Sequence, residues 1–573
     1  MNSPTTTNTT RRKAVWGPKR LLVVLAFALL ALPLSADAAP RNSHTQAKHP
    51  KAPVVSRHNR PVKKVKAGLP NSQAKKEQGE KLDHSLRTRA KSRSSKETVD
   101  LIVTLNEGQD LPAGYKKYVR GKKLDVINGY DLRKLPVSLL AGLEKEYSVH
   151  RAHFNHAAMS LDLLSSGAVQ ADVLAKQFGY TGAGVGVAFI DSGFTGYSLP
   201  DLKDSRVTKF VDFVSPANKF RVDTNGHGTH VTGIVAGTGK VDSREAGIAP
   251  GASVISLRVL DEQGKGSIGD IIAAIDWISK NYVQYNIRIV NMSVGAGVYE
   301  SYWTDPLTLA AKALVDQGIT VVAAAGNFGK NRDGELQYGG ITSPGVAPWV
   351  LTACAFSTMG TTDPGDDVMA NFSSAGPTYI DFTAKPDVCA PGVGIVSLAA
   401  PESALYSLGG QQTPSWLLNP GYAGYAFAPY LTLTGTSQAT PVVTGTVALM
   451  LQANPNLTPN LIKAILQYTS SSKADVSPLR QGAGFMNARG AVELARFYAH
   501  AKPGAELPID PSWSQHIIWG NHMLSGGVLD PGGNAWMPGV EWGWAYTQGD
   551  DGDNIVWGTA CSEDCDNIVW GTG

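Results

Sequence analysis

Four cysteines in 573 residues are too few for a fold held together by disulfides. Neither pair has the spacing set of a zinc site. Cys354 and Cys389 stand in apolar surroundings, "VLTACAF" and "PDVCAPG", where a thiol packs as a small hydrophobe. Cys561 and Cys565 flank "SED" and could close a small local ring. Long apolar runs are as scarce: after "LLVVLAFALLALPL" at 21–34, no stretch is long enough to span a bilayer. Basic residues run short in the body, though not in the chain as a whole, which has 52 Lys and Arg against 48 Asp and Glu. Beyond His156 there are 22 Lys and Arg against 36 Asp and Glu, a balance of −14 that argues against a nucleic-acid-binding body.

The front of the chain has the opposite balance, 30 basic residues against 12 acidic up to His156. Arg11, Arg12, Lys13, Lys19 and Arg20 precede the apolar run, and Ala36 and Ala38 follow it. That order is the anatomy of a secretory signal peptide over 1–38, so export and an extracellular product with no membrane attachment are expected. Residues 39–97 are rich in Lys, Arg, Ser and Pro and read as a disordered basic linker. From 98 to 156 the texture changes. "VDLIVTL" reads as a strand and "SLLAGLEKEY" as a short amphipathic helix, together a small α+β domain.

The body, 157–500, alternates strands and helices. "VGVAFID", "VISLRVLD", "IRIVNMSVG" and "ITVVAAAGN" are apolar runs of the kind buried on both faces, and "SIGDIIAAIDWISKNY" carries isoleucines at helical spacing. The expected fold is α/β, a parallel sheet flanked by helices on both faces. Reactive residues in such sheets gather at the carboxyl ends of strands, where Asp191 and Asn327 stand.

"NGHGTHVTG" at 225–233 places His227 and His230 three apart, a spacing open to a metal site or to one proton-moving imidazole. No further motif offers a third ligand. "IDSG" with Asp191 lies upstream and "GTSQATP" with Ser437 downstream. A serine hydroxyl needs a base to take its proton, and that imidazole needs a carboxylate on its other N–H to fix the tautomer. Pro441 suits the first turn of a helix, which puts Ser437 at the helix N-terminus, where the dipole favours developing negative charge.

With these motifs in the order Asp, His, Ser, the stretch from about 180 to 495 resembles the subtilisin-like serine peptidases. The resemblance implies a secreted serine endopeptidase acting on protein or peptide substrates without a catalytic cofactor. It makes Ser437 the nucleophile, His227 the base, Asp191 its orienter, Asn327 the side-chain oxyanion donor and His230 a packed structural histidine. It places a substrate strand between Gly266 and Ser267 on one side and Ser293, Val294 and Gly295 on the other, and lines the primary pocket with Ala324, Gly326 and Thr342. It also makes 98–156 a propeptide that folds, inhibits and is cut off by its own chain within about 150–160, and Asp201 a candidate ligand of a structural calcium. The competing reading is a binding or scaffold protein on a dead peptidase fold. Departures are Gln438 after the nucleophile, an aromatic, Gly/Pro-rich insertion at 401–429, and an acidic tail at 501–573. The tail holds seven tryptophans and repeats "DNIVWGT" at 553–559 and 566–572.

Overall fold

The computed structural model describes residues 81–90, 97–155, 157–160, 179–407 apart from 332, 333 and 362, then 428–501, 506–519, 522–525, 553–557 and 568–570. The signal peptide, the linker to residue 80, most of the 401–429 insertion and Cys561 with Cys565 lie outside them. Among the described residues, no helix is long and apolar enough to cross a membrane.

The small domain starts earlier than its composition implies. Helix α1 (His84–Ala90) falls in the stretch read as disordered linker, yet Leu82 and Leu86 are 1% and 0% exposed. Leu82, bridged to Ala152 just before the helix, and Leu86 inside it bury a short apolar patch that the surrounding basic residues hide in any average. Asp83 Oδ1 accepts the Leu86 N–H at 2.7 Å and caps the turn. The patch packs on an antiparallel sheet of β1 (Thr98–Leu105), β2 (Gly129–Pro136) and β3 (Val149–Phe154), ordered β2-β1-β3. Beyond β3 the chain continues into the short strand β4 (Ala157–Ser160).

The body follows the expected alternation. It runs through β5 (Gly186–Asp191), β6 (Val207–Asp212), α2 (His227–Ala236), β7 (Ser253–Arg258) and β8 (Lys265–Ser267). Next come α3 (Ile268–Tyr285), β9 (Ile287–Met292), β10 (Val294–Ala296), α4 (Pro306–Asp316), β11 (Thr320–Ala324) and β12 (Leu351–Ser357). After β13 (Val368–Met369), β14 (Val388–Pro391), β15 (Ile395–Leu398) and β16 (Tyr430–Leu433), it closes with α5 (Thr436–Ala453), α6 (Pro459–Tyr468) and α7 (Ala488–His500). The main sheet is ordered β13-β12-β11-β9-β5-β7-β6, with β14 also on β12; β13 alone runs antiparallel.

Period-two alternation on a doubly covered sheet sends neighbouring residues into different cores. Val187 and Phe189 pack with residues of α2 and α5, while Ala188 and Ile190 pack with α3 and α4. Helix α3 forms because Ile268, Ile271, Ile272, Ile275 and Ile278 make one buried stripe. Ser267 caps its start by accepting the Asp270 N–H, and Asn286 at φ 48° ends it.

The two body cysteines are not free thiols, as their apolar surroundings suggest. Cys354 on β12 and Cys389 on β14 are register partners in a parallel pair, with Cα atoms 4.3 Å apart, and are joined in a disulfide. Only the strand pairing brings them together, across 35 residues of sequence.

Candidate active site

Three loops at the carboxyl ends of β5, β11 and β16 and the start of α2 converge on one place. Asp191 is the last residue of β5 and His227 the first of α2, and His227 Nδ1 donates to Asp191 Oδ1 at 2.6 Å. The same oxygen accepts the Ser192 N–H at 2.7 Å. Gly226, with φ 101°, turns the chain into α2; a Cβ there would collide with the Ser403 side chain. Ser437 is the second residue of α5, and its hydroxyl donates to the Ser293 carbonyl at 2.9 Å.

Pro441 lies deeper than the first turn, inside α5, which begins at Thr436. A proline there leaves the carbonyl four residues back, that of Ser437, without its helical N–H partner. The Ser293 hydroxyl supplies the missing donor at 2.7 Å. Ser293 and Ser437 thus hold each other twice, hydroxyl to carbonyl in both directions. The proline that weakens the helix creates half of that clasp.

Asn327 follows the end of β11. Its Oδ1 accepts both the N–H and the hydroxyl of Thr436, each at 3.0 Å. A backbone N–H only donates, so this contact fixes which end of the amide is oxygen and leaves the NH2 as the donor end beside Ser437. His230 is fully buried one turn into α2 and donates through Nε2 to the carbonyls of Leu431 (3.0 Å) and Ile395 (3.2 Å). Burial, helped by the charge of His227, lowers its pKa to about 3, so it stays neutral and packs.

A buried carboxylate that sequence reasoning missed joins the Asp191 loop to α2. Asp223, 0% exposed, accepts from Ser192 Oγ (2.8 Å), Gly226 N (2.7 Å), and Thr229 N and Oγ1 (2.7 Å each). Ser192 Oγ in turn accepts the Gly228 N–H at 2.8 Å. The available signal was an aspartate four residues before His227 and a serine directly after Asp191.

The two strand edges named from sequence also come together, and they are filled. β4 lies antiparallel between β8 and β10, with Ala158 opposite Gly266, Ala157 opposite Ser267, Ser160 opposite Val294 and Met159 opposite Gly295. Ala324, Gly326 and Thr342 are neighbours: the Thr342 hydroxyl donates to the Ala324 carbonyl at 3.3 Å, and a Cβ on Gly326 would sit 3.0 Å from Thr342. In this form Ser437 and His227 are 0% exposed and Asp191 1%.

Asp201 stands apart from these residues. Its Oδ1 accepts the Val241 N–H at 2.8 Å and its Oδ2 accepts the Tyr430 hydroxyl. A cation bound through Oδ2 would compete with that hydroxyl, so this carboxylate by itself makes a poor calcium cradle. Among the described residues, the one cluster with metal-ligand geometry is Asp83, His153 and Glu300. Arg151 already supplies a cation there, 2.9 Å from Glu300, and His153 Nδ1 meets the other Glu300 oxygen. Burial alone would raise the Glu300 carboxyl, but the His153 and Arg151 charges outweigh it and hold the pKa below the usual range. We read the cluster as a buried ionic clasp between the small domain and the body.

Against known proteins, residues 182–484 match the family model described as the subtilase family. The chain belongs to the subtilase family. It is 34% identical over 381 residues to the serine protease AprX of Bacillus subtilis (strain 168), covering 65% of this chain and 80% of the relative. It is 34% identical over 295 residues to an extracellular serine proteinase of Thermus sp. (strain Rt41A), covering 50% of this chain and 55% of the relative. Among solved structures it resembles fervidolysin from Fervidobacterium pennivorans, a keratinolytic enzyme related to subtilisin, with TM-score 0.52 and 18% identity over 73% of this chain and 63% of that one. That likeness speaks to the fold alone. The chain is thus a subtilisin-like serine protease.

Proposed function

We propose that the chain is the exported precursor of a serine endopeptidase that removes its own small domain. Ser437 Oγ attacks the scissile carbonyl while His227 takes its proton through Nε2, and Asp191 steadies the imidazolium from the other side. The Ser437 N–H and the Asn327 NH2 receive the oxyanion. His227 returns the proton to the leaving amine, and water then releases the acyl-enzyme by the same relay.

The observation that carries this reading is β4, paired on both edges as an added strand in the manner of a peptide substrate. With Ser160 opposite Val294, β4 ends next to Ser293, whose carbonyl anchors the Ser437 hydroxyl. We therefore propose a processing bond just after β4, at Leu161–Asp162 in the sequence, one residue past the window of about 150–160. A complete burial of Ser437 and His227 suits an inhibited precursor.

Wild type and Ser437→Ala expressed side by side test this by mass spectrometry. The expected result is a new N-terminus at Asp162 in wild type and an uncut Ser437→Ala chain. Identical cleavage in both would assign processing to another protease. The released segment should inhibit in trans.

Metal removal gives a second check. A zinc-selective chelator should leave turnover unchanged, since proton transfer and oxyanion binding need only the residues named. Immediate loss of activity restored by zinc would sink the serine mechanism.

A further inference from the structure

The two copies of Asp-Asn-Ile-Val-Trp-Gly-Thr in the tail have no part in the chemistry above. The structure pairs them with each other. β17 (His516–Trp519), β18 (His522–Ser525), β19 (Asp553–Trp557) and β20 (Ile568–Trp570) form a sheet in that order. β17 and β18 are antiparallel, as are β18 and β19. β19 and β20 instead run parallel, with Ile555 opposite Ile568, Val556 opposite Val569 and Trp557 opposite Trp570. The Ile-Val-Trp centre of the motif lies against that of its own copy.

The two ends of this sheet differ. β17 is tied to the body: Ile517 and Ile518 are 5% and 4% exposed, and the Ile518 N–H donates to Gln467 Oε1 on α6 at 3.2 Å. Just before it, Trp513 meets Tyr468 edge-on, with ring centroids 6.3 Å apart. β20 forms the opposite edge, and among the described residues its strand partner is β19. Of the devices that blunt a sheet edge, namely a very short strand, lysine, proline or a bulge, β20 shows the first, at three residues. "NIVWG" contains neither lysine nor proline, and β19 and β20 pair without a register shift.

We propose that β20 is a homotypic docking edge, which takes the "NIVWG" motif of a second copy of this chain as the next parallel strand. The partner is named by the pairing already present. A strand of the same sequence offers β20 the ladder that β19 offers it, placing like on like as in stacked parallel strands. Among the described residues the ladder ends at β20, and a motif from another chain continues it.

Charge sets the salt dependence. Asp550, Asp551 and Asp553 flank the first copy and Glu563, Asp564 and Asp566 the second, while the whole tail has one lysine. Like charges therefore oppose the docking, and backbone hydrogen bonds with apolar contact drive it. Association should strengthen as salt screens the repulsion. A basic partner captured by the acidic tail would show the reverse.

Sedimentation velocity on the full-length Ser437→Ala chain, which cannot digest itself, reads this directly. The weight-average mass should at least double between low and high micromolar concentration, and the rise should come earlier at higher salt. Ile568→Lys with Trp570→Lys puts charge on the edge and should hold the chain monomeric. The thermal unfolding of its catalytic body should stay unchanged, which separates lost docking from a lost fold. Excess synthetic DNIVWGT peptide should return the unsubstituted chain to monomer. A chain that stays monomeric throughout, or associates equally with both lysines in place, or dissociates in salt, would overturn the proposal.

Discussion

His227→Ala and Ser437→Ala should each lower kcat by about a millionfold, and the double variant should be hardly worse, the pattern known when triad members are removed from subtilisin. In the proposed mechanism Asp191, His227 and Ser437 act as one device. Without the imidazole the hydroxyl keeps its proton, and without the hydroxyl the imidazole has nothing to activate. Residual hydrolysis would come from substrate positioning and the oxyanion donors. His230→Ala is the internal control, because it sits one turn further along the same helix and its ring donates to the Leu431 and Ile395 carbonyls. It should reduce stability and spare turnover. Its lowered pKa, about 3, also fixes a sign. The unfolded chain binds this proton from about pH 6.5 downward and the folded chain does not. The stability that wild type owes to a neutral His230 is therefore present above that pH and is lost as pH falls toward 3. The alanine variant should lack this acid sensitivity. Peptide-hydrolysis rates on purified, active-site-titrated variants decide the assignment, and normal turnover in His227→Ala with loss in His230→Ala would reverse it.

Much of this site was legible because each part sits at a punctuation the chain cannot avoid. Apolar runs that end abruptly, as at Asp191 and Asn327, mark strand ends, and glycines around His227 and before Ser437 mark close backbone approach. The four central strands and α3 were readable because their periodicity is set by burial alone. What escaped depends on pairings between distant segments. Cys354 and Cys389 look like two unrelated buried residues until β12 and β14 lie side by side. Leu82 and Leu86 are two apolar residues in a basic stretch, and only the sheet they cover gives them meaning. Pro441 reads as a helix start because proline is at home there, whereas the Ser293 hydroxyl lets it sit further in. Asp223 has no motif of its own, since a carboxylate with four donors is a property of folded loops.

Asn327→Ala should lower kcat on the order of 10²–10³-fold with little change in KM. The selectivity for kcat follows from timing. The oxyanion exists only after Ser437 has attacked, so a donor aimed at it contributes little to holding the ground-state peptide. In the proposed mechanism that holding falls to the β8 and β10 edges, which pair with β4 here and which the alanine leaves intact. The harder test is Asn327→Asp. Aspartate has the same shape, and its carboxylate still accepts the N–H and hydroxyl of Thr436, which now lie 3.0 Å from Asn327 Oδ1. It has no N–H to give, and its negative charge faces the developing oxyanion. The loss should thus equal or exceed that of the alanine variant, while the fold around Thr436 is kept. Were Asn327 merely a cap that pins the start of α5, aspartate would preserve activity and alanine would cost stability instead. Steady-state kinetics of both variants, read beside their thermal unfolding, separates a donor to the transition state from a clamp on the loop.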